Sequence, residues 1–286
     1  MSGGATDFWY VAWSDEREGI LIDLIRRPRE AVARVALFRR GQPPRVVRES
    51  FPREALVEGE DRSVTLGPWR LGRQGCTGRI GEGDAAIAIG ARFHLDAPEV
   101  TMVPAWVAGL FRTIPALRST PGALTALAGR ALPAPLPCVL TRYRVGDVAR
   151  ARWFLVSAHG FEGAPDVRLE IAGGRMLGRC ALTGYLHAGG AWYPLTQPLA
   201  NLVRFSAPAT GEVADEARRI EVTYRSKRVS WRLTGRALAD AFVELEREGA
   251  TTIHTTLFGD CALDLTVGDE HRRLSARGCC LLEVKE

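Results

Sequence analysis

The chain has 286 residues, 46 % hydrophobic and 25 % charged, with a formal net charge of +5. That composition excludes a disordered polypeptide, and the absence of an uninterrupted apolar run of about 18 residues excludes a membrane-spanning helix. Lysine occurs only at Lys227 and Lys285, so nearly all positive charge is arginine, scattered beside acids rather than gathered into a stripe; nucleic acid is therefore not an expected partner.

The N-terminal region alternates. Trp9, Val11 and Trp13 share one face of a strand over Phe8–Trp13, Ile20–Ile25 is apolar on both faces except at Asp23, and Ala31–Phe38 is a third strand. Ser63–Leu71 and Ala85–Leu95 follow. Short strands between turn signals, without regularly interposed helices, predict antiparallel rather than βαβ architecture. Val100–Gly146 then holds five arginines and no acid, and is dense in Ala, Leu and Pro. Trp106, Leu110 and Phe111 have helical spacing and Ala123–Leu132 suits a second short helix, with Pro115 and Pro121 as breakers. This segment reads as a partly helical connection, with a lid or an apolar patch for peripheral membrane contact as the functional alternative.

Strands resume at Cys138–Val145 and Ala151–Ser157, and Val167–Ile171 alternates up to a turn expected at Gly173-Gly174. Met176–His187, Arg219–Tyr224 and Val229–Leu233 continue the pattern. Leu238, Ala241, Phe242 and Leu245 fall at i, i+3, i+4 and i+7, predicting a helix over Thr234–Glu248, with a strand over Ala241–Glu246 as the alternative. The tail, from Thr251 to Val284, is a meander. Roughly fifteen strands exceed the eight or so of a small barrel, so two barrels fit better than one. The expected organisation is all-β: an N-terminal barrel over residues 1–103, a connection over 104–137 and a C-terminal barrel over 138–286.

The aromatic strand Phe8-Trp9-Tyr10-Val11-Ala12-Trp13, the basic-tipped hairpin through Phe38-Arg39-Arg40-Gly41, the strand Ser63–Gly67 and Arg79-Ile80-Gly81 together resemble tandem lipocalin-like (calycin) proteins. These include carotenoid 1,2-hydratases, AttH-type proteins and lipocalin-like natural-product cyclases. The resemblance implies two calycin barrels, an apolar polyene, terpenoid or polyketide-like ligand, and no organic cofactor.

Asp23 is the first candidate for chemistry. An unpaired carboxyl among Leu21, Ile25 and their neighbours would have a raised pKa and could protonate an alkene; the alternative is a carboxylate paired with a nearby arginine at a barrel rim. His254, among threonines in Thr251–Thr256, is the second. His94 with Asp96, His159, and Tyr185 with His187 are further donors that could equally be structural. Trp9, Trp13, Trp153, Tyr185 and Trp231 are candidate substrate-binding residues, with core packing as their alternative. Glu170, Asp264 and Glu283 read as solvated. The six cysteines lack metal-ligand spacing and read as buried thiols; no metal is expected. The N-terminus MSGGATDFWY has no cationic start with an apolar core, so a cytoplasmic location is expected. The preferred reading is a cofactor-free enzyme acting on an unsaturated apolar molecule by hydration, isomerisation or cyclisation. A non-catalytic carrier of a hydrophobic ligand is its rival, and a purely structural or interaction protein the third reading.

Overall fold

The structure is a computed structural model and describes residues 5–83, 86–95, 99–103, 116–145, 153–176, 179–195, 218–237, 243–248, 251–256, 259–277 and 280–285. Two compact bodies result. One comprises Met1–Trp13, Gly19–Leu37 and Arg45–Arg150; the other comprises Ser14–Glu18, Phe38–Pro44 and Ala151–Glu286. Among the described residues every ladder with a stated direction is antiparallel, and the only helical element is a single 3-10 turn, Arg53–Ala55.

The first body is built on strands β1 (Thr6–Ser14), β2 (Glu18–Arg26), β3 (Glu30–Arg39), β4 (Gln42–Pro52), β5 (Leu56–Glu58), β6 (Val64–Leu66), β7 (Trp69–Gly72), β8 (Gly75–Ile80), β9 (Ile87–His94), β10 (Val100–Val103), β11 (Ala116–Leu127) and β12 (Arg130–Val145). They form one sheet in the order β4-β3-β2-β1-β12-β11-β9-β8-β7-β6-β5, with β10 added on β11. Residues from far along this strip share one core. Trp9, Val11 and Trp13 of β1 pack in the same cluster as Val64, Leu66, Trp69, Leu71 and Phe93, so the sheet curls over its own inner face. The opposite face of β1–β3 is buried too, carrying Phe8, Tyr10, Leu21, Asp23, Ile25 and Arg34.

Residues 116–137 are strand, which corrects the expected connection. β11 and β12 form a long hairpin whose turn, Ala128-Gly129, has φ of 51° and 77°, the double-positive pattern of a type I′ connection. Three prolines of this stretch sit outside the ladders that flank the hairpin. The β10 ladder ends at Ser119 and the β9 ladder begins at Ala123, so Pro121 lies in the gap between two partners. Pro133 and Pro135 precede the stretch of β12, Cys138 to Val145, that pairs with β1. Cross-strand pairing on both sides thus overrides the local helical spacing. Trp106, Leu110 and Phe111 lie outside the described residues.

The second body has a seven-stranded and a four-stranded sheet. Strands β13 (Trp153–Ala158), β14 (Arg168–Met176), β15 (Arg179–Ala188), β16 (Ala191–Pro194), β19 (Val243–Glu248), β20 (Thr251–Thr256) and β23 (Cys280–Lys285) run in the order β16-β15-β14-β13-β23-β20-β19. β17 (Arg218–Arg225), β18 (Val229–Ala237), β21 (Gly259–Val267) and β22 (Glu270–Arg277) run in the order β17-β18-β21-β22. Both sheets contribute to one core, in which Val156, Leu169, Ile171 and Leu186 meet Val222, Trp231, Leu233, Leu263 and Leu265. Of the helix expected over Thr234–Glu248, residues 238–242 lie outside the described residues and both flanks are strand, the outcome that the alternative over Ala241–Glu246 allowed. Thr234–Ala237 completes β18, and Val243–Glu248 pairs with the threonine-rich β20, a partner that favours the extended state. Gly173-Gly174 lies inside β14, paired to Phe154 and Trp153, rather than at a turn.

Candidate functional site

One row of side chains crosses the inner face of the first body near one end of its strands. Trp9 of β1 pairs with Arg142 of β12, and Arg142 pairs with Arg118 of β11. Like charges directly opposite each other destabilise a sheet, so the Arg118–Arg142 pair is a local cost. Around it lie Asp7, Arg26, Glu58, Arg62, Glu99 and Arg144. Arg26 donates from Nη2 to Asp7 (2.9 Å) and to Glu58 (3.0 Å). Arg144 reaches Asp7 through Nε and Nη2, and Arg142 lies 3.0 Å from Glu58. Arg62 and Arg118 both donate to Oε1 of Glu99, at 3.2 and 3.3 Å. Arg26 and Arg142 sit over the Trp9 ring at 5.2 and 5.1 Å, within cation–π range.

These residues rim a cavity of about 130 Å³ lined by Trp9, Val64, Leu71 and Leu140 on its apolar side and by Arg62, Arg73, Arg118, Arg142 and Glu99 on its polar side. The volume is close to the ~150 Å³ void known to accept one benzene ring, so it holds a ring-sized group rather than a long polyene. Burial pushes the Asp7 carboxyl up, but hydrogen bonds from Arg144 and Arg26 outweigh it and hold the group below its usual value. Asp7 in turn raises the pKa of Arg144.

Of the residues chosen from the sequence, Trp9 is the only one among those described that lines this cavity. Trp13 packs in the core, 6.2 Å from the Phe93 ring. Asp23 is not the unpaired acid expected: Arg34 donates to its Oδ2 from Nε (2.9 Å) and Nη2 (2.7 Å), with the two side chains 1 % and 0 % exposed. It also points away from Trp9, because odd positions of β1 and even positions of β2 share the inner face and Asp23 takes the other. Trp231 stacks on Tyr224 at 5.6 Å in the second core. Tyr185 donates to Glu170 and packs 5.2 Å from Trp192. Glu170 is therefore not solvated; it is 2 % exposed beside its tyrosine partner. His254 lies in β20, opposite Val284 and Glu244, and Trp153 in β13, but their side chains lie outside the described residues, as does Asp96. Asp23 and His254 belong to different bodies.

His187 contacts the Asp166 carbonyl through Nδ1 at 2.6 Å. His159 is buried with no partner on Nε2, and burial, with a smaller push from Arg168, lowers it to about 4. Cys76, Cys138 and Cys261 are buried thiols outside any disulfide, the Cys76 thiol pushed up by burial to about 12. Among the described residues no group of three His, Cys, Asp or Glu is placed to hold a metal, and no helix is long and apolar enough to cross a membrane.

Sequence reasoning missed Glu99 and the arginines. The signal was present in the acid-free, arginine-bearing stretch after Val100, which reads as a linker until β11 and β12 pair.

No family model matches the chain, and no curated protein matches it in sequence. Solved structures do match in fold. A candidate AttH of Nitrosomonas europaea superimposes with a TM-score of 0.58 at 16 % identity, over 98 % of this chain and 92 % of that one. Kievitone hydratase of Nectria haematococca does so with a TM-score of 0.54 at 11 % identity, over 99 % of this chain and 88 % of that one. The likeness is one of fold across both bodies.

Proposed function

We infer that the chain is a hydratase-type enzyme, adding water to a carbon–carbon double bond of a largely apolar small molecule held at the mouth of the first body. The observation that carries this reading is the lining of the cavity, where a single carboxylate, Glu99, stands among guanidinium groups beside an apolar pocket. A fold neighbour named as a hydratase supports it. Both arginines that hold Glu99 address Oε1, and Oε2 has no hydrogen-bond partner among the described residues.

Glu99 Oε2 takes a proton from water as the water oxygen bonds to the alkene carbon distal to a conjugated carbonyl. The alkene electron pair moves onto the carbonyl oxygen, where Arg118 and Arg142 stabilise the developing charge. The proton on Glu99 then passes to the carbon next to the carbonyl, so one water is added across the bond and the carboxylate is restored. The step uses no organic cofactor. Asp23, on the opposite face, serves folding in this reading. Isomerisation and cyclisation of the same unsaturated ligand class could use the same base, but a rim of exposed charged groups admits water to the reacting carbon.

Incubating the protein with unsaturated aryl ketones and acids in ¹⁸O-water tests this. Wild type should give an ¹⁸O-labelled adduct, and Glu99→Gln should lose about 100-fold or more in kcat with binding retained. Ligands that bind but are never hydrated would leave the rival reading, a carrier of a hydrophobic ligand.

A further inference from the structure

We propose that the rim of this cavity is a carboxylate-recognition site, so that the ligand is a small unsaturated acid with one ring-sized apolar group; this rests on the mouth being where the ligand binds. The cavity lining holds four guanidinium groups, Arg62, Arg73, Arg118 and Arg142, against one carboxylate, Glu99, an excess of three positive charges. The whole chain carries only +5, so the larger part of its net charge is concentrated here.

The excess is not discharged internally. Arg26, Arg142 and Arg144 share Asp7 and Glu58, and Arg62 and Arg118 share one oxygen of Glu99. Arg73 has no ion-pair or hydrogen-bond partner among the described residues. Arg118 and Arg142 stand directly opposite each other across the β11–β12 ladder. A fold gains nothing from opposing two like charges; an anion between them turns the repulsion into a two-sided clamp. Glu99 and Glu58 each hold one of the two arginines, and a local rule broken beside a cavity points to a binding site.

The shape narrows the anion. Guanidinium forks match planar carboxylates two oxygens at a time. Behind them Trp9, Val64, Leu71 and Leu140 line a space sized for one ring. Free phosphate would use the arginines and leave the apolar floor unused. An aryl or alkenyl carboxylate uses both.

Isothermal titration calorimetry at low and high salt is the test, with trans-cinnamate, cinnamyl alcohol and inorganic phosphate as probes. Cinnamate should bind about tenfold or more tightly than the alcohol, with the preference shrinking at high salt. Arg118→Gln and Arg142→Gln should each lose about tenfold for cinnamate and nothing for the alcohol, while Arg273→Gln, the same charge change on the second body, should alter neither. Arg142→Lys keeps the charge without the fork and should recover only part of the loss, which guards against reading a folding defect as lost recognition. Glu99→Gln should tighten cinnamate, because the carboxylate facing it is gone. Equal binding of acid and alcohol would overturn the proposal, as would phosphate binding as tightly as cinnamate and unaffected by Trp9→Ala. Acid preference without hydration of any probe would fell the hydratase reading and leave this one. Glu99-dependent hydration of neutral ligands with no acid preference would do the reverse.

Discussion

The first body contains two groups of opposed charges on opposite faces of one sheet, and they are built on different terms. Asp23 and Arg34 meet through two hydrogen bonds to the same oxygen, closed off from water. At the mouth, six arginines face three carboxylates, most remain partly exposed, and one carboxylate oxygen is left over. Charge that is matched and sealed belongs to the fold. Charge that is in excess and reachable awaits a partner from outside.

The largest expected effect separates the two directly. Asp23→Ala or Arg34→Met leaves one charge stranded in a dry interior and should cost about 3–5 kcal/mol in urea unfolding. The paired replacement Asp23→Leu with Arg34→Met should recover most of that loss. Single losses under about 1 kcal/mol would break the distinction. So would a fully folded Asp23→Asn protein that binds ligand normally but no longer hydrates it, since that would return the chemistry to Asp23.

Acid should probe His159 and Asp7, both buried, in different pH windows. His159 in the second body has a folded-state pKa of about 4, below the ordinary histidine value of 6.5. Between those values the unfolded chain binds the extra proton, so stability is complete above 6.5 and declines towards pH 4, by about 3 kcal/mol in total. Asp7, at the mouth, is shifted below the ordinary aspartate value of 3.8, so its contribution is intact above that pH and fades as the pH falls through the folded value. His159→Phe should flatten the stability profile between pH 6.5 and 4, whereas Asp7→Asn should flatten it only below about 4 and cost about 1–2 kcal/mol at neutral pH. A profile unchanged by His159→Phe would mean that the ring is solvated.

How far the sequence could be read follows from the same physics. Alternation in β1 and short apolar runs bounded by turn signals in β2 and β3 made these strands legible, because burial on both faces still leaves β-branched and aromatic residues in runs of strand length. Cys138–Val145 was legible as strand, but β11 and the first half of β12 were not: Ala-Leu runs with scattered prolines are indifferent to local conformation, and strand was chosen there by pairing within the hairpin and with Ala91–His94. The site suffered for it. Arg118, Arg142 and Arg144 are three of the five arginines in the acid-free stretch, and only the hairpin brings them beside Asp7, Trp9 and Glu99. Asp23 attracted attention as an acid among apolar neighbours, but its Arg34 partner, eleven residues on, was visible only as one polar interruption in the next apolar strand.

The smallest effect is also the most diagnostic, because its sign differs from the usual one. Removing a charged side chain from a sheet normally costs a little. Arg118→Gln removes a weak, half-exposed contact to Glu99, worth at most about 1 kcal/mol, and relieves a direct repulsion from Arg142 of about 0.2–1 kcal/mol. Its unfolding free energy should therefore stay within about 0.5 kcal/mol of wild type or rise. Arg142→Gln should lose slightly more, because Arg142 also holds Glu58 and covers Trp9. A neutral or stabilised Arg118→Gln protein with impaired acid binding would be the trade of stability for function expected where like charges are kept facing each other for a ligand. A clear destabilisation would put Arg118 with Arg34, among the groups that the fold itself requires.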